Sequence, residues 1–104
     1  MRYEWDERKR RVNLRKHGVD FRDAPQVFHG RTLTMPDDRE DYGEDRFISI
    51  GLLGSTVVTI AHTERTGGVR IISMRKAKSY EEREYFAQVG YGLEADRRDE
   101  GQRH

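Results

Sequence analysis

Residues 46–76 read RFISIGLLGSTVVTIAHTERTGGVRIISMRK, and apolar and polar residues alternate along three runs of this stretch. Alternation with a period of two is typical of β-strands, because successive side chains point to opposite faces of a sheet. Glycine-containing segments separate the runs at Gly54-Ser55 and at Thr66-Gly67-Gly68, and Gly takes the positive φ of short hairpin loops at little steric cost. The stretch therefore predicts three antiparallel strands. Their shared buried face is expected to consist of Ile48, Ile50, Leu52, Val58, Ile60, Ile72 and Met74.

Charged and hydrogen-bonding side chains interrupt this apolar sheet. They are Arg46, His62, Glu64, Arg65, Arg70, Arg75 and Lys76. Across the chain Arg is much commoner than Lys, with sixteen Arg to four Lys, and the planar guanidinium suits phosphate binding and base stacking. A basic sheet of this kind predicts a phosphate-rich ligand such as nucleic acid. A coding sequence rich in GC would also enrich Arg, so composition alone does not separate the two explanations.

Length and composition limit the class of protein. The chain has 104 residues, of which 34% are hydrophobic and 38% charged. These values predict one domain with a small core at residues 1–89, followed by a charged tail at residues 90–104 that is flexible or ordered by a partner. The absence of Cys excludes disulfides and thiolate metal sites. Without an apolar run of about 18 residues or a signal peptide, the protein is expected in the cytoplasm with no membrane contact.

The flanking segments predict further strands and helices around the central sheet. In chain order these are a strand Arg2–Trp5, a helix from Asp6 to about His17, a helix from Asp23 to Phe28, a strand Arg31–Met35 and a helix from Tyr80 to about Gln88. Asp6 and Gly18 are the expected N-cap and C-cap of the first helix. Ser79 is the expected N-cap of the last helix, with Glu82 completing a capping box. The fold class predicted is α+β.

The surfaces of these segments are mostly charged. The first helix carries a basic run of Arg8, Lys9, Arg10, Arg11, Arg15 and Lys16, which is either a solvated outer face or a surface for an acidic partner or a phosphate backbone. The segment Asp37–Asp45 is expected to be a solvated acidic loop, because its spacing does not match a calcium-binding loop. No metal or other cofactor is predicted. In the last helix, Tyr80, Phe86 and Val89 are expected to pack, while Arg83 and Tyr85 point elsewhere.

Two strings of residues resemble the BrnT family of ribonuclease toxins from type II toxin–antitoxin pairs. The first is EWDERKRRVNLRKHGVDFRDA near the N-terminus, and the second is VRIISMRKA in the last strand, with RFISIG between them. The resemblance extends over roughly residues 3 to 87. It implies a fold similar to RelE toxins, with an N-terminal strand, two helices, an antiparallel sheet and a C-terminal helix. It also implies a metal-independent endoribonuclease that inhibits translation, and a BrnA-like antitoxin whose heterotetramer with the toxin contacts promoter DNA through the antitoxin.

Metal-independent RNA cleavage requires a group that holds the phosphate while the substrate 2′-OH attacks it. Arg75 is the first candidate, because it alternates with the core-facing Met74 and its guanidinium can bind two phosphate oxygens at once. Arg65, expected at the second turn, and Arg46, expected at the end of the sheet, are the further arginine candidates for catalysis. Arg70, Lys76 and Arg83 are further candidates for binding RNA, and Tyr85 for stacking on a base.

Proton transfer is assigned less clearly by the sequence. His62 is the candidate acid or base, since its ordinary pKa lies near neutrality, but it shares strand parity with Val58 and Ile60 and could instead be a structural residue. Glu64 and Glu82 are expected to orient an arginine rather than act as bases, because nearby arginines lower the pKa of a carboxylate. A module that binds nucleic acid or an antitoxin without cleaving RNA, acting in transcriptional autoregulation, is the alternative function.

Overall fold

A computed structural model describes residues 1–90, in which five strands form one mixed sheet. The strands are β1 (Arg2–Glu4), β2 (Thr32–Pro36), β3 (Arg46–Leu53), β4 (Thr56–Arg65) and β5 (Gly68–Lys76), in the spatial order β1-β5-β4-β3-β2. The α+β class and the three central strands are confirmed. The expectation of an antiparallel sheet is wrong at one edge, because β1 pairs parallel to β5. The predicted tail lies, apart from residue 90, outside the described residues.

The helices are α1 (Glu7–His17), α2 (Ala24–His29) and α3 (Ser79–Tyr85). Their arrangement differs from the predicted one, since a 3₁₀ turn at Phe21–Asp23 precedes α2 and a π-helical segment at Phe86–Gly90 follows α3. Within residues 1–90, no helix is both long and apolar enough to cross a membrane.

The sheet is covered on both faces, not on one as the alternation suggested. On the first face, here called the α2 face, Val58 and Ile60 pack with Phe21 and Val27. On the opposite α3 face, Ile50 and Val57 pack with Tyr85 of α3. Ile48 and Leu52 also lie on the α3 face, because they pair with Ala61 and Val57 in register. Even-numbered apolar residues of β3 and β4 therefore face opposite sides, which sequence periodicity within each strand does not reveal.

A bulge in β5 sets which of its residues face each side. Ala61 pairs with Ser73 and His62 pairs with Ile71, so Ile72 has no partner in β4. The extra residue shifts the side-chain phase by one position. As a result Ile71 and Met74 both lie in the core of the α2 face, while Ser73 and Arg75 lie on the α3 face.

The first helix packs on the sheet through polar side chains. Its predicted caps are confirmed, with Asp6 accepting from the Lys9 N–H and Gly18 in the left-handed region. The buried residues are Arg10 and Asn13, whereas both aliphatic residues of the helix are exposed. Arg10, predicted as part of a basic surface, instead lies between Glu7 and Asp20, at 2.6 Å and 3.2 Å.

Asn13 occupies the edge of β5 beyond the end of β1. Its Nδ2 donates to the Met74 carbonyl at 2.7 Å and its Oδ1 accepts from the Met74 N–H at 3.3 Å. Nδ2 also donates to the Val19 carbonyl. The carboxamide thus replaces the backbone of a neighbouring strand, and it satisfies buried polar groups that would otherwise cost free energy.

The last helix begins one residue earlier than predicted, with Lys78 as N-cap and Glu81, not Glu82, as the capping-box carboxylate. Tyr85, predicted to point away, is 1% exposed and donates from its hydroxyl to the Arg31 carbonyl. Tyr80, predicted to pack, is 60% exposed. The buried stripe of this helix runs through residues four apart, and it includes the charged Glu81, which obscures the apolar pattern.

Candidate nucleic-acid interface

Four of the predicted arginines share the α3 face of the sheet. Arg75 pairs with Thr59, Arg70 and Arg46 both pair with Thr63, and Arg65 pairs with Gly68. Their phase is the same as that of Ile48 and Ile50, which lie on this face. Thr59 and Thr63 are themselves buried. The α3 face therefore combines apolar packing under α3 with a row of guanidinium groups beside it.

Arg75 is bound to Glu81 by two parallel hydrogen bonds. Nη1 donates to Oε1 at 2.7 Å and Nη2 donates to Oε2 at 2.9 Å, and Nη1 also donates to the Lys76 carbonyl at 3.3 Å. The hydrogen bonds with Glu81 raise the pKa of Arg75 against the opposing effect of burial. Two-point binding fixes the plane of the guanidinium, which a single ion pair would not do.

Glu81 is held in turn by the backbone and by the sheet. Its Oε1 accepts from the Lys78 N–H at 2.8 Å and from the Thr59 hydroxyl at 3.3 Å. Burial opposes ionisation of this carboxyl, but the hydrogen bonds from Arg75 and Lys78 outweigh it and lower the pKa. Glu81 is therefore ionised at neutral pH and is a weak base, suited to orienting Arg75.

One edge of Arg75 remains available for a ligand. Among residues 1–90, its Nε–H and one Nη2 proton have no acceptor, and these two protons lie on the same edge of the guanidinium. An open groove of about 290 Å³ adjoins the pair. Ile48, Ile50 and the exposed Tyr80 and Lys78 line it, together with four carboxylates, Asp37, Asp38, Glu81 and Glu84. The charge of the groove is therefore mixed, and it offers an aromatic ring for stacking next to the open edge of Arg75.

The other three arginines form a loose network of ion pairs away from Arg75. Arg65 and Arg70 approach the same oxygen of Glu4 at 3.5 Å and 3.9 Å. Arg65 and Arg46 approach Glu44 at 3.8 Å and 3.3 Å. The guanidinium of Arg46 also lies 4.0 Å from the ring centre of a neighbouring tyrosine. Exposed pairs at such distances contribute little free energy, so a phosphate could displace these carboxylates.

His62 lies on the α2 face, on the opposite side of the sheet from Arg75. It is 5% exposed, and its Nε2 is 2.7 Å from the Ser49 hydroxyl, which contacts Thr34 at the same distance. Phe28 packs edge-on against the imidazole and Phe47 stacks on it. Burial lowers the pKa of His62 to about 4. In this position the ring is neutral at pH 7 and is separated from the arginine row by the sheet.

The remaining candidates are dispersed. Lys76 pairs with Val58 and Glu64 pairs with Val69. Lys76 and Glu64 therefore lie on the α2 face of their strands. Glu82 and Arg83 are exposed on α3. Tyr85 is buried, and its ring is therefore not available for stacking on a base. The residue that the sequence did not single out is Glu81, although its place three residues after a helix N-cap is a recognisable signal for a capping carboxylate.

Within residues 1–90, no three His, Asp or Glu side chains lie close enough together to hold a metal ion.

Comparison with known proteins identifies a family. A family model described as "Ribonuclease toxin, BrnT, of type II toxin-antitoxin system" matches residues 5–81. No curated protein matches the chain. The matched residues include all four arginines of the α3 face and end at Glu81.

Proposed function

Since this chain belongs to the BrnT family of ribonuclease toxins of type II toxin–antitoxin systems, we propose that it cleaves RNA without a metal ion on the α3 face. In this proposal Arg75 binds the phosphate of the cleaved bond and Glu81 holds Arg75 in position. The observation that carries the proposal is the two-point Arg75–Glu81 contact, which leaves one edge of the guanidinium open. Cleavage of cellular RNA by this site would inhibit translation.

The reaction proposed is attack of the 2′-oxygen on the adjacent phosphorus. The new O2′–P bond forms while the P–O5′ bond breaks, which leaves a 2′,3′-cyclic phosphate on one fragment and a 5′-OH on the other. Negative charge on the phosphate oxygens increases in the transition state, and the fixed cation of Arg75 stabilises it. Because DNA lacks the 2′-OH, the same site would bind but not cleave it.

Water is the proposed carrier of both protons, one leaving the 2′-OH and one reaching the 5′-oxygen. Glu81 is a weak base because its pKa is lowered, and His62 lies on the other face. A positioned acid or base typically contributes a factor of about 10² to 10⁴ to the rate. Slow cleavage is therefore expected, driven by phosphate binding and charge.

The neighbouring side chains would bind the rest of the substrate. Arg46, Arg65 and Arg70 are proposed to contact flanking phosphates in place of Glu4 and Glu44. The groove next to Arg75 is proposed to receive the adjacent nucleotide, with Tyr80 stacking on its base. The exposed Arg83 is a further candidate for an outer phosphate.

Membership of a type II system implies an antitoxin that neutralises the toxin. We propose that this antitoxin is BrnA-like, that the complex is a heterotetramer, and that it contacts promoter DNA only through the antitoxin. A relationship of the fold to RelE toxins, and a cytoplasmic site of action, belong to the same proposal.

The alternative function is binding of nucleic acid without cleavage. The test uses the purified chain, free of antitoxin, on a defined single-stranded RNA in excess EDTA, with mass spectrometry of the fragment ends. Fragments that end in 2′,3′-cyclic phosphate would support the metal-independent reaction. Intact RNA, both alone and with ribosomes added, would contradict it and favour the binding module.

A further inference from the structure

A basic groove lies between α1 and the free edge of β5. It has a volume of about 330 Å³ and is lined by Arg8, Lys9, Val12, Asn13, Lys16, His17, Ile72 and Ser73. The groove exists because β1 pairs only with residues 68–70 of β5. Beyond residue 70 no strand within residues 1–90 pairs with this edge of β5, and α1 lies next to it instead. Asn13 closes this edge through its hydrogen bonds with the Met74 backbone. Arg8, Lys9 and Lys16 give the groove its positive charge.

The cations of this groove are not neutralised by carboxylates in the described part of the chain. No Asp or Glu lines the groove, and the ion pairs of residues 1–90 involve none of Arg8, Lys9 and Lys16. Arg10, in contrast, is buried and paired with Glu7 and Asp20. The helix therefore separates a structural arginine from a row of exposed cations.

One residue of the groove, Ser73, lies on the face that holds Arg75. Ser73 lines the groove and pairs with Ala61, two residues along β4 from Thr59, the partner of Arg75. Ser73 and Arg75 therefore lie on the same face of β5, two residues and roughly 7 Å apart along the strand. A strand of RNA that passes Arg75 could continue over Ser73 into the groove.

We propose that this groove binds the sugar–phosphate backbone of the RNA outside the cleaved bond, so that the substrate extends from the α3 face along α1. The proposal rests on the RNA substrate proposed above. Lys9 and Lys16 are seven residues apart, or about 10 Å along the helix axis, and lie on one side of it. Protein interfaces are commonly centred on large buried anchors such as Trp or Tyr, whereas the apolar residues of this groove are only Val12 and Ile72. Unpaired cations without an apolar centre favour a phosphate backbone.

The chain provides a matched pair of variants. Lys9→Gln/Lys16→Gln removes two charges from the groove, and Arg11→Gln/Arg15→Gln removes two from the same helix outside it. All four residues are exposed, and Gln has a helix propensity similar to that of Lys and Arg.

Equal melting temperatures by circular dichroism would establish that both variants fold. The ligand is a fully 2′-O-methylated 12-nucleotide RNA, which cannot undergo attack by the 2′-OH.

Binding is measured as a function of salt concentration. Each contact to a single-stranded phosphate contributes about 0.7 to the slope of log affinity against log salt. The groove variant is expected to lose about 1.4 from this slope and roughly tenfold in affinity at 0.15 M salt. The variant outside the groove is expected to lose much less. Cleavage of a dinucleotide, whose single phosphate is the one held at Arg75, is expected to be the same in both variants.

Two results would overturn the inference. Equal losses of affinity in the two variants would indicate general attraction by net charge, and unchanged affinity in the groove variant would leave the groove to another ligand, such as an acidic segment of a protein partner. Failure of the proposed function gives a different pattern, because a chain that cuts no RNA would still show the binding difference on the uncleavable ligand.

Discussion

Arg75 of β5 donates to both carboxylate oxygens of Glu81 of α3, at 2.7 Å and 2.9 Å. The pair connects the strand that carries the phosphate-binding candidate to the first turn of the helix that covers the same face. Glu81 simultaneously accepts the N–H of the helix N-cap, Lys78. One carboxylate therefore caps the helix and orients the arginine, so the position of Arg75 depends on where α3 begins.

The substitution Glu81→Gln tests the positioning role of this carboxylate. The neutral carboxamide would hold the guanidinium less firmly, so the cleavage rate at saturating RNA is expected to fall by about 10 to 100-fold, as for other small displacements of a catalytic group. RNA affinity is expected to change little, because Arg75 keeps its charge. The matched control is Glu82→Gln, which changes an exposed neighbouring carboxylate. Loss of affinity with an unchanged rate would be evidence against positioning.

Asn13 is predicted to be a major determinant of stability. Asn13→Ala removes the hydrogen bonds to Met74 and Val19 and leaves buried backbone groups unsatisfied, which is expected to lower the free energy of unfolding by about 2 to 3 kcal/mol. The measurement is urea denaturation. Val12→Ala, on the exposed side of the same helix, should change stability by less than about 0.5 kcal/mol. A similar small effect for both variants would show that the carboxamide does not stabilise the edge of β5.

Burial of His62 predicts a loss of stability on acidification. Its pKa is lowered from 6.5 to about 4, so between these values the unfolded chain binds more protons than the folded one. The free energy of unfolding therefore decreases as the pH falls through this window, by about 3 kcal/mol in total. His62→Gln, which does not titrate, should flatten the pH dependence across the same window. Identical pH profiles for the two proteins would contradict the assignment of His62 to the core.

The substitution His62→Gln should affect stability but not the rate of RNA cleavage. Because His62 is neutral at pH 7 and lies on the α2 face, the rate per folded molecule of His62→Gln is expected to stay within a few-fold of the parent protein. A loss of about 10² or more, the usual contribution of a general acid or base, would instead make His62 part of the reaction.

Local signals in the sequence predict much of the fold. The alternation in residues 46–76 and the turns at Gly54 and Gly67, both with positive φ, are properties of neighbouring residues. The caps of α1 at Asp6 and Gly18 are equally local. The parallel pairing of β1 with β5 joins segments more than 60 residues apart, and no local pattern encodes it.

The candidate site is only partly predictable from the sequence, for physical reasons. Alternation with Met74 correctly predicts that Arg75 lies off the core, because both residues follow the β5 bulge. The core position predicted for Ile72 is wrong, because Ile72 is the unpaired bulge residue and Ile71 lies in the core instead. The polar contacts of Asn13 and Glu81 are not predicted, because these are buried hydrophilic residues in helices whose apolar residues are the ordinary sign of burial. The position of His62 depends on which face each strand presents, which alternation alone leaves open.

The central claim is that Arg75 binds the phosphate of the cleaved bond. The most direct measurement compares Arg75→Ala with Arg15→Ala, an exposed arginine outside both grooves, in single-turnover cleavage of RNA and in binding of the 2′-O-methylated RNA, with excess EDTA throughout. We expect Arg75→Ala to reduce cleavage by about 10² to 10³-fold and to weaken binding by less than about tenfold, while Arg15→Ala cleaves normally. Equal losses of cleavage and binding, or cleavage that persists in Arg75→Ala, would contradict the claim.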